Sequence, residues 1–167
     1  TTLAKVADVV TLTFTASETI ATKVVTFQSG SAAITDTSIT YVNTSGNIWT
    51  AAYTANASDT DGSVTYSIAF SDSAGNAGTA VTSGSGSVTF DKTAPAFSSL
   101  SPSTSSTVNT TAVGYTLSEA IASGTVTYTR TGGTADGTVH TVNLAGTELN
   151  SGTRSSAVLT NAPTLVS

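Results

Sequence analysis

No cysteine and no methionine occur among the 167 residues. That excludes disulfide stapling, thiol catalysis, thiolate metal sites and sulfur oxidation in this stretch of chain. Charge is scarce too: Asp, Glu, Lys and Arg make up 9% of the residues, against roughly 25% in an average domain. Five basic and ten acidic residues leave a net charge of −5. With no basic cluster to follow a phosphate backbone or an anionic lipid surface, nucleic acid and membrane partners are disfavoured. No apolar run approaches the ~18 residues that span a bilayer, and no basic stretch leads into an apolar one as in a leader peptide, so no membrane insertion of this segment is expected. Stability must come from packing, hydrogen bonds or bound ions.

Hydroxyl groups stand where charge is missing: 36 Thr and 25 Ser are 61 of 167 side chains, beside 38% apolar residues. Thr and Val are stiff at χ1 and favour strands. Val10, Leu12, Phe14 and Ala16 alternate with Val9, Thr11, Thr13 and Thr15, and Val64, Tyr66, Ile68 and Phe70 alternate with Thr65, Ser67 and Ala69. Each pattern predicts a strand with one buried face. Shorter versions occupy residues 23–27, 38–42, 49–53 and 87–90, while NTSGN at 43–47 and DSAGN at 72–76 predict hairpin turns. Nowhere is helical spacing sustained.

An internal repeat organises these strands. A shift of 101 positions lays LTFTASETI at 12–20 on VGYTLSEAI at 113–121, and VVTF at 24–27 on TVTY at 125–128, without a gap. Thr15/Thr116, Ser17/Ser118, Glu18/Glu119, Ile20/Ile121, Val25/Val126 and Thr26/Thr127 are identical. Two related modules follow, residues 1–91 and 92–167, joined at DKTAP (91–95). Pro95 fixes its own φ and pushes Ala94 towards extended geometry, so a short, stiff junction is expected. A module of this size with about seven short strands matches an immunoglobulin-like sandwich. Module one is expected to have little room for a first strand. Module two is expected to lack its last strands, leaving open edges unless another chain completes it.

SETI and SEAI, DTDG at 59–62, DSAGN at 72–76, DKTAP at 91–95 and the strand holding Trp49 resemble the bacterial immunoglobulin-like repeats of long secreted and surface-anchored adhesins. The resemblance spans essentially the whole chain, and DKTAP with DSAGN is its more specific part. It implies tandem antiparallel β-sandwiches, the second incomplete here, outside the cell or on its surface, often with calcium at module ends. The partners it implies are neighbouring modules of the same long chain.

Seven acidic residues fall at predicted strand ends or turns: Glu18, Asp59, Asp61, Asp72, Asp91, Glu119 and Asp136. Asp also favours turns for local hydrogen-bonding reasons, which is the plainer explanation at any one position. Sandwich topology adds a second: Glu18, Asp72 and Asn76 share one end of module one, and Asp59, Asp61 and Asp91 share the other, facing Glu119 of the next module. Clustered carboxylates repel, and Ca²⁺, which takes ~6–8 oxygen ligands, would relieve them. The expectation is junction Ca²⁺ held by Asp59, Asp61, Asp91 and Glu119, with Glu18, Asp72 and Asn76 as a second set.

Catalysis has little to work with. His140, the one histidine, lies in a predicted strand over 138–144, and the Gly-rich GGTADG at 132–137 has no helix behind it to receive a phosphate. No hydrolase, zinc-protease or nucleotide-binding motif occurs, and Glu18 and Glu119 hold the same site of two modules, too far apart to flank one glycosidic bond. Trp49 reads as a core anchor or as a sugar-stacking platform. Lys5 and Lys23 raise an isopeptide bond, but the predicted last strand offers no Asn to receive it. Asn43, Asn56 and Asn109 begin formal N-glycosylation triplets. The expected function is a non-catalytic spacer in a long extracellular adhesin-like protein. The alternatives are a subunit of a filament, sheath or surface layer built with other copies by strand complementation, and a glycan-binding module.

Overall fold

A computed structural model describes residues 2–106, 108–132 and 137–164. The chain folds as two compact units, Thr1–Thr93 and Ala94–Ser167. Both are all-β and sandwich-type. Among the described residues no helix is long and apolar enough to cross a membrane.

Unit one contains β1 (Thr2–Ala4), β2 (Val9–Thr15), β3 (Ile20–Ser29), β4 (Ala32–Ala33), β5 (Thr40–Ser45), β6 (Ile48–Thr54), β7 (Gly62–Asp72) and β8 (Val88–Phe90). One sheet has the order β2-β6-β5, the other β1-β8-β7-β3-β4. Neighbouring strands are antiparallel except β1, which runs parallel to β8 with Thr2 opposite Val88. A first strand therefore does fit before β2, because three residues suffice to cover the edge of so short a strand as β8.

Period-two alternation sends Val10 of β2 with Ala51 and Tyr53 of β6 towards Val25 and Phe27 of β3, Ile68 of β7 and Phe90 of β8, and these form one core between the sheets. The Phe27 and Tyr53 rings meet at 4.9 Å. Each large apolar side chain removed from water there stabilises the unit by about 1.5–3 kcal/mol. Outward positions carry the hydroxyls, and several pair directly across strands: Thr22 with Ser71 at 2.7 Å, Thr116 with Thr153 at 2.9 Å and Thr127 with Thr141 at 3.2 Å.

Unit two contains β9 (Phe97–Ser101), β10 (Ala112–Leu117), β11 (Thr125–Tyr128), β12 (His140–Asn143), a 3-10 helix over Gly146–Leu149 and β13 (Gly152–Val158). Its sheets are β13-β10-β9 and β11-β12. Val113, Tyr115 and Leu117 of β10 meet Val142, Leu144 and Leu159 in a second core.

Candidate functional site

The two ends of unit one are built differently. At one end β7 begins and β8 finishes, with Gly62 opposite Phe90. The backbones come so close that a Cβ on Gly30, which has φ +55°, would collide with the Asp61 carbonyl. Here the DTDG loop and the DKT of DKTAP fold onto each other. Asp59 is 1% exposed; its Oδ1 accepts the Thr35 N–H at 2.7 Å and its Oδ2 the Asn56 N–H at 2.8 Å. Burial works to raise the Asp59 carboxyl, but those backbone donors and the nearby Lys92 charge outweigh it and hold the group below the usual range.

Asp61 receives the Lys92 N–H on Oδ1 at 2.8 Å and the Thr93 hydroxyl on Oδ2 at 2.7 Å. The Thr93 hydroxyl, followed by the Lys92 N–H, holds its carboxyl below the usual range. Asp91 accepts the Thr93 N–H at 3.0 Å. The Lys92 ammonium donates to the carbonyls of Ala57 at 3.0 Å and Asp59 at 2.6 Å.

For a hard cation the fit of Asp59 and Asp61 is poor. Both oxygens of each carboxylate already accept a hydrogen bond from the protein, and the Lys92 ammonium places a positive charge on the loop carbonyls beside them. Among the described residues no group of three or more His, Asp or Glu side chains is placed to hold a metal. Glu119 follows β10 in unit two, half-buried, with one carboxylate oxygen buried and without a hydrogen-bond partner among the described residues. Asp136 lies outside the described residues.

At the opposite end of unit one, Ile20 stands opposite Asp72. A cavity of about 450 Å³ opens there, floored by Phe14, Ile20, Ile68, Phe70 and Val81 and rimmed by Glu18, Asp72 and Asn76. These three residues, grouped by topology alone in the sequence, do share one site. Asp72 closes its turn on itself, accepting the N–H groups of Ala74 at 2.9 Å and Asn76 at 2.8 Å and the Asn76 amide at 2.7 Å. The Asn76 side chain, then its backbone, hold the Asp72 carboxyl low.

The remaining singled-out residues have local roles. Trp49 is half-buried in β6 with the Lys23 ammonium 3.7 Å from its ring centroid, a cation–π contact. Lys5 pairs with Asp8 at 2.7 Å. His140 opens β12 opposite Tyr128.

Three residues with structural roles had no assignment from the sequence. Lys92 was visible only as part of a motif. Glu148 carried no signal at all, yet its carboxylate is buried and accepts the N–H groups of Ala145 at 2.7 Å and Thr160 at 2.6 Å and the Thr160 hydroxyl at 2.8 Å. Burial opposes this charge, and the Thr160 and Ala145 donors win, holding the carboxyl below the usual range. Tyr53 buries a hydroxyl that has no hydrogen-bond partner among the described residues; burial first, and the Asp59 charge second, push it up to about 12.

Comparison of the chain with protein-family models, with curated proteins and with solved structures finds no match.

Proposed function

We propose that the chain is a non-catalytic spacer: two immunoglobulin-like modules from a long extracellular bacterial adhesin-like protein, whose work is to hold a tip away from a surface. The observation that carries the reading is the lock between DKTAP and unit one. Lys92 and Thr93, the last residues before the joint, are bonded to Asp59 and Asp61, so tension entering at the joint is borne by several hydrogen bonds in parallel. The sheet orders β2-β6-β5 and β8-β7-β3 support the immunoglobulin-like part of the reading. Stiffness in this reading comes from Lys92 rather than from calcium.

The eleven residues of β7, at ~3.3 Å each, set a module length of about 36 Å. Small-angle scattering on concatemers of increasing repeat number tests the proposal. Maximum dimension should grow linearly, by about 36 Å or more per module; growth as the square root of module number would mean a flexible string and would reject the spacer.

The glycan-binding alternative draws no support from Trp49, whose ring carries Lys23.

A further inference from the structure

β2 and β10 are counterparts in the 101-residue repeat, and each pairs antiparallel on one side, β2 with β6 and β10 with β13. Their other sides differ. β10 carries β9 there, with Phe97 opposite Leu117, Ser98 opposite Thr116 and Ser101 opposite Gly114. β2 ends its sheet, and among the described residues no strand pairs with its outer edge. The Ala16 N–H donates to the Asn47 carbonyl at 3.0 Å, on the β6 side. Backbone groups of successive strand residues alternate in direction, so those of Thr11, Thr13 and Thr15 face away from β6. Thr13 and Thr15 are the counterparts of Gly114 and Thr116, two of the residues that β9 engages.

Side chains at the two edges differ in the same way. In unit two the Ala96 N–H donates to the Ser118 hydroxyl at 2.9 Å and the Ser118 N–H to the Ala96 carbonyl at 3.0 Å. The Phe97 ring meets Tyr115 edge-on, centroids 5.5 Å apart, and Tyr115 and Leu117 are buried. In unit one the same places belong to Phe14, Ala16 and Ser17. Phe14 and Ala16 are only half-buried, and Ser17 is exposed, its hydroxyl bonded to nothing among the described residues. The cavity of about 450 Å³ borders every residue from Phe14 to Glu18. Successive side chains of a strand point to opposite faces, so a cavity bordered by a continuous run lies along the edge. It opens where unit two has β9. Ser17 and Ser118, identical in the repeat, differ only in that one of them holds a strand.

We infer that the outer edge of β2 is a strand-acceptor site whose occupant is the stretch immediately before Thr1 in the same polypeptide: uncharged, antiparallel to β2, with a large apolar side chain at the place of Phe97. The repeat selects this source over a separate partner. Counting back 101 positions from Phe97–Ser101 lands on the residues directly before Thr1, in the register that pairs with Thr13 and Thr15. β1 begins at Thr2 in the other sheet, so donor strand and β1 are consecutive and one chain covers both edges. In unit two the same strand is supplied by the chain itself. Ser17 is the anchoring residue, its N–H and hydroxyl taking the backbone of the incoming strand as Ser118 takes Ala96. Backbone hydrogen bonds satisfy the edge, and the apolar side chain fills the cavity against Phe14. The inference does not rest on the spacer reading; a chain that fails the scattering test would still carry the open edge.

The test fuses a second copy of residues 95–101 directly before Thr1 and compares the product with the 167-residue chain. Amide exchange at Thr15 and Ser17 should slow by about tenfold or more. Unit one, followed through the fluorescence of Trp49, should melt several degrees higher. Ser17→Ala should leave the melting temperature of the parent chain unchanged, since its hydroxyl holds nothing there, and should reduce the gain in the fused chain. A fused copy carrying Phe97→Asp should give no gain. The inference is overturned if the fused chain exchanges Thr15 and Ser17 as fast as the parent, or if the Phe97→Asp copy protects them equally. It is also overturned if residues 95–101 added as a free peptide at micromolar concentration protect as well as the fused copy, because the edge would then accept a separate partner.

Discussion

Replacing Asp59 by Asn changes one atom's chemistry at a point where two loops meet. The carboxylate accepts the Thr35 N–H on one oxygen and the Asn56 N–H on the other, at 2.7 and 2.8 Å, from a side chain 1% exposed. An Asn retains one acceptor and turns an NH₂ towards an N–H, so one charge-assisted bond is lost and a buried donor is stranded. Those two effects together cost about 2–4 kcal/mol. For the 93 residues of unit one, total stability is roughly 5–14 kcal/mol, so the loss is a large share of it. It corresponds to a fall in melting temperature of roughly 10–25 °C.

Trp49, the one tryptophan, lies in unit one, so its fluorescence in urea follows that unit alone. The pH dependence gives an independent reading. The folded pKa of Asp59 lies below the ordinary value, so its stabilisation is present above the unfolded carboxyl's pKa and fades as pH falls through the folded one. Asp59→Asn should remove this part of the acid limb, while Asp61→Asn, on the surface of the same loop, should change the urea midpoint far less. An Asp59→Asn chain with the parent's urea midpoint, or with an unaltered acid limb, would refute this account of the buried carboxylate and its two backbone donors.

Tyr53→Phe should leave unit one as stable or make it slightly more so, because the hydroxyl it removes is buried without a partner. It should also remove Tyr53's share of the loss of stability expected of unit one as pH rises from about 10 towards 12, where the unfolded phenol ionises before the folded one; spectrophotometric titration reports both. Glu148→Gln should destabilise unit two by about 1.5–3 kcal/mol, read by the loss of amide protection at Ala145 and Thr160 with unit one unchanged. Gly30→Ala should lower the urea midpoint of unit one, since its φ of +55° and the adjacent Asp61 carbonyl leave no room for a Cβ. Millimolar Ca²⁺ against chelator should leave the melting temperature of unit one unchanged, because the oxygens of Asp59 and Asp61 are already engaged; a rise of several degrees would show that Lys92 yields its place to the ion.

The all-β class was legible because alternation is a local property. Val10, Leu12 and Phe14 announce one buried face whatever stands opposite, and NTSGN and DSAGN mark turns through their own backbone preferences. The 101-residue repeat was equally legible, since it needs only comparison of the chain with itself. Even the gathering of Glu18, Asp72 and Asn76 at one end followed from strand order. What each carboxylate does there was not legible. Asp59 and Asp61 are two residues apart in one turn, yet one is buried against Thr35 and Asn56 while the other faces Lys92 and Thr93, and spacing carries no information about which donors arrive from distant loops.

Composition, period two and comparison of the chain with itself thus determined a sparsely charged, hydroxyl-rich β protein built as a repeat, because those features can be read along the sequence alone. Only the tertiary structure decided that the Lys92 ammonium closes on the carbonyls of Ala57 and Asp59, that Glu148 ties the 3-10 helix to Thr160 just beyond β13, and that β1 runs parallel to β8. The reason is physical: charge satisfaction and strand pairing are settled between groups far apart in sequence, after the loops that carry them have closed.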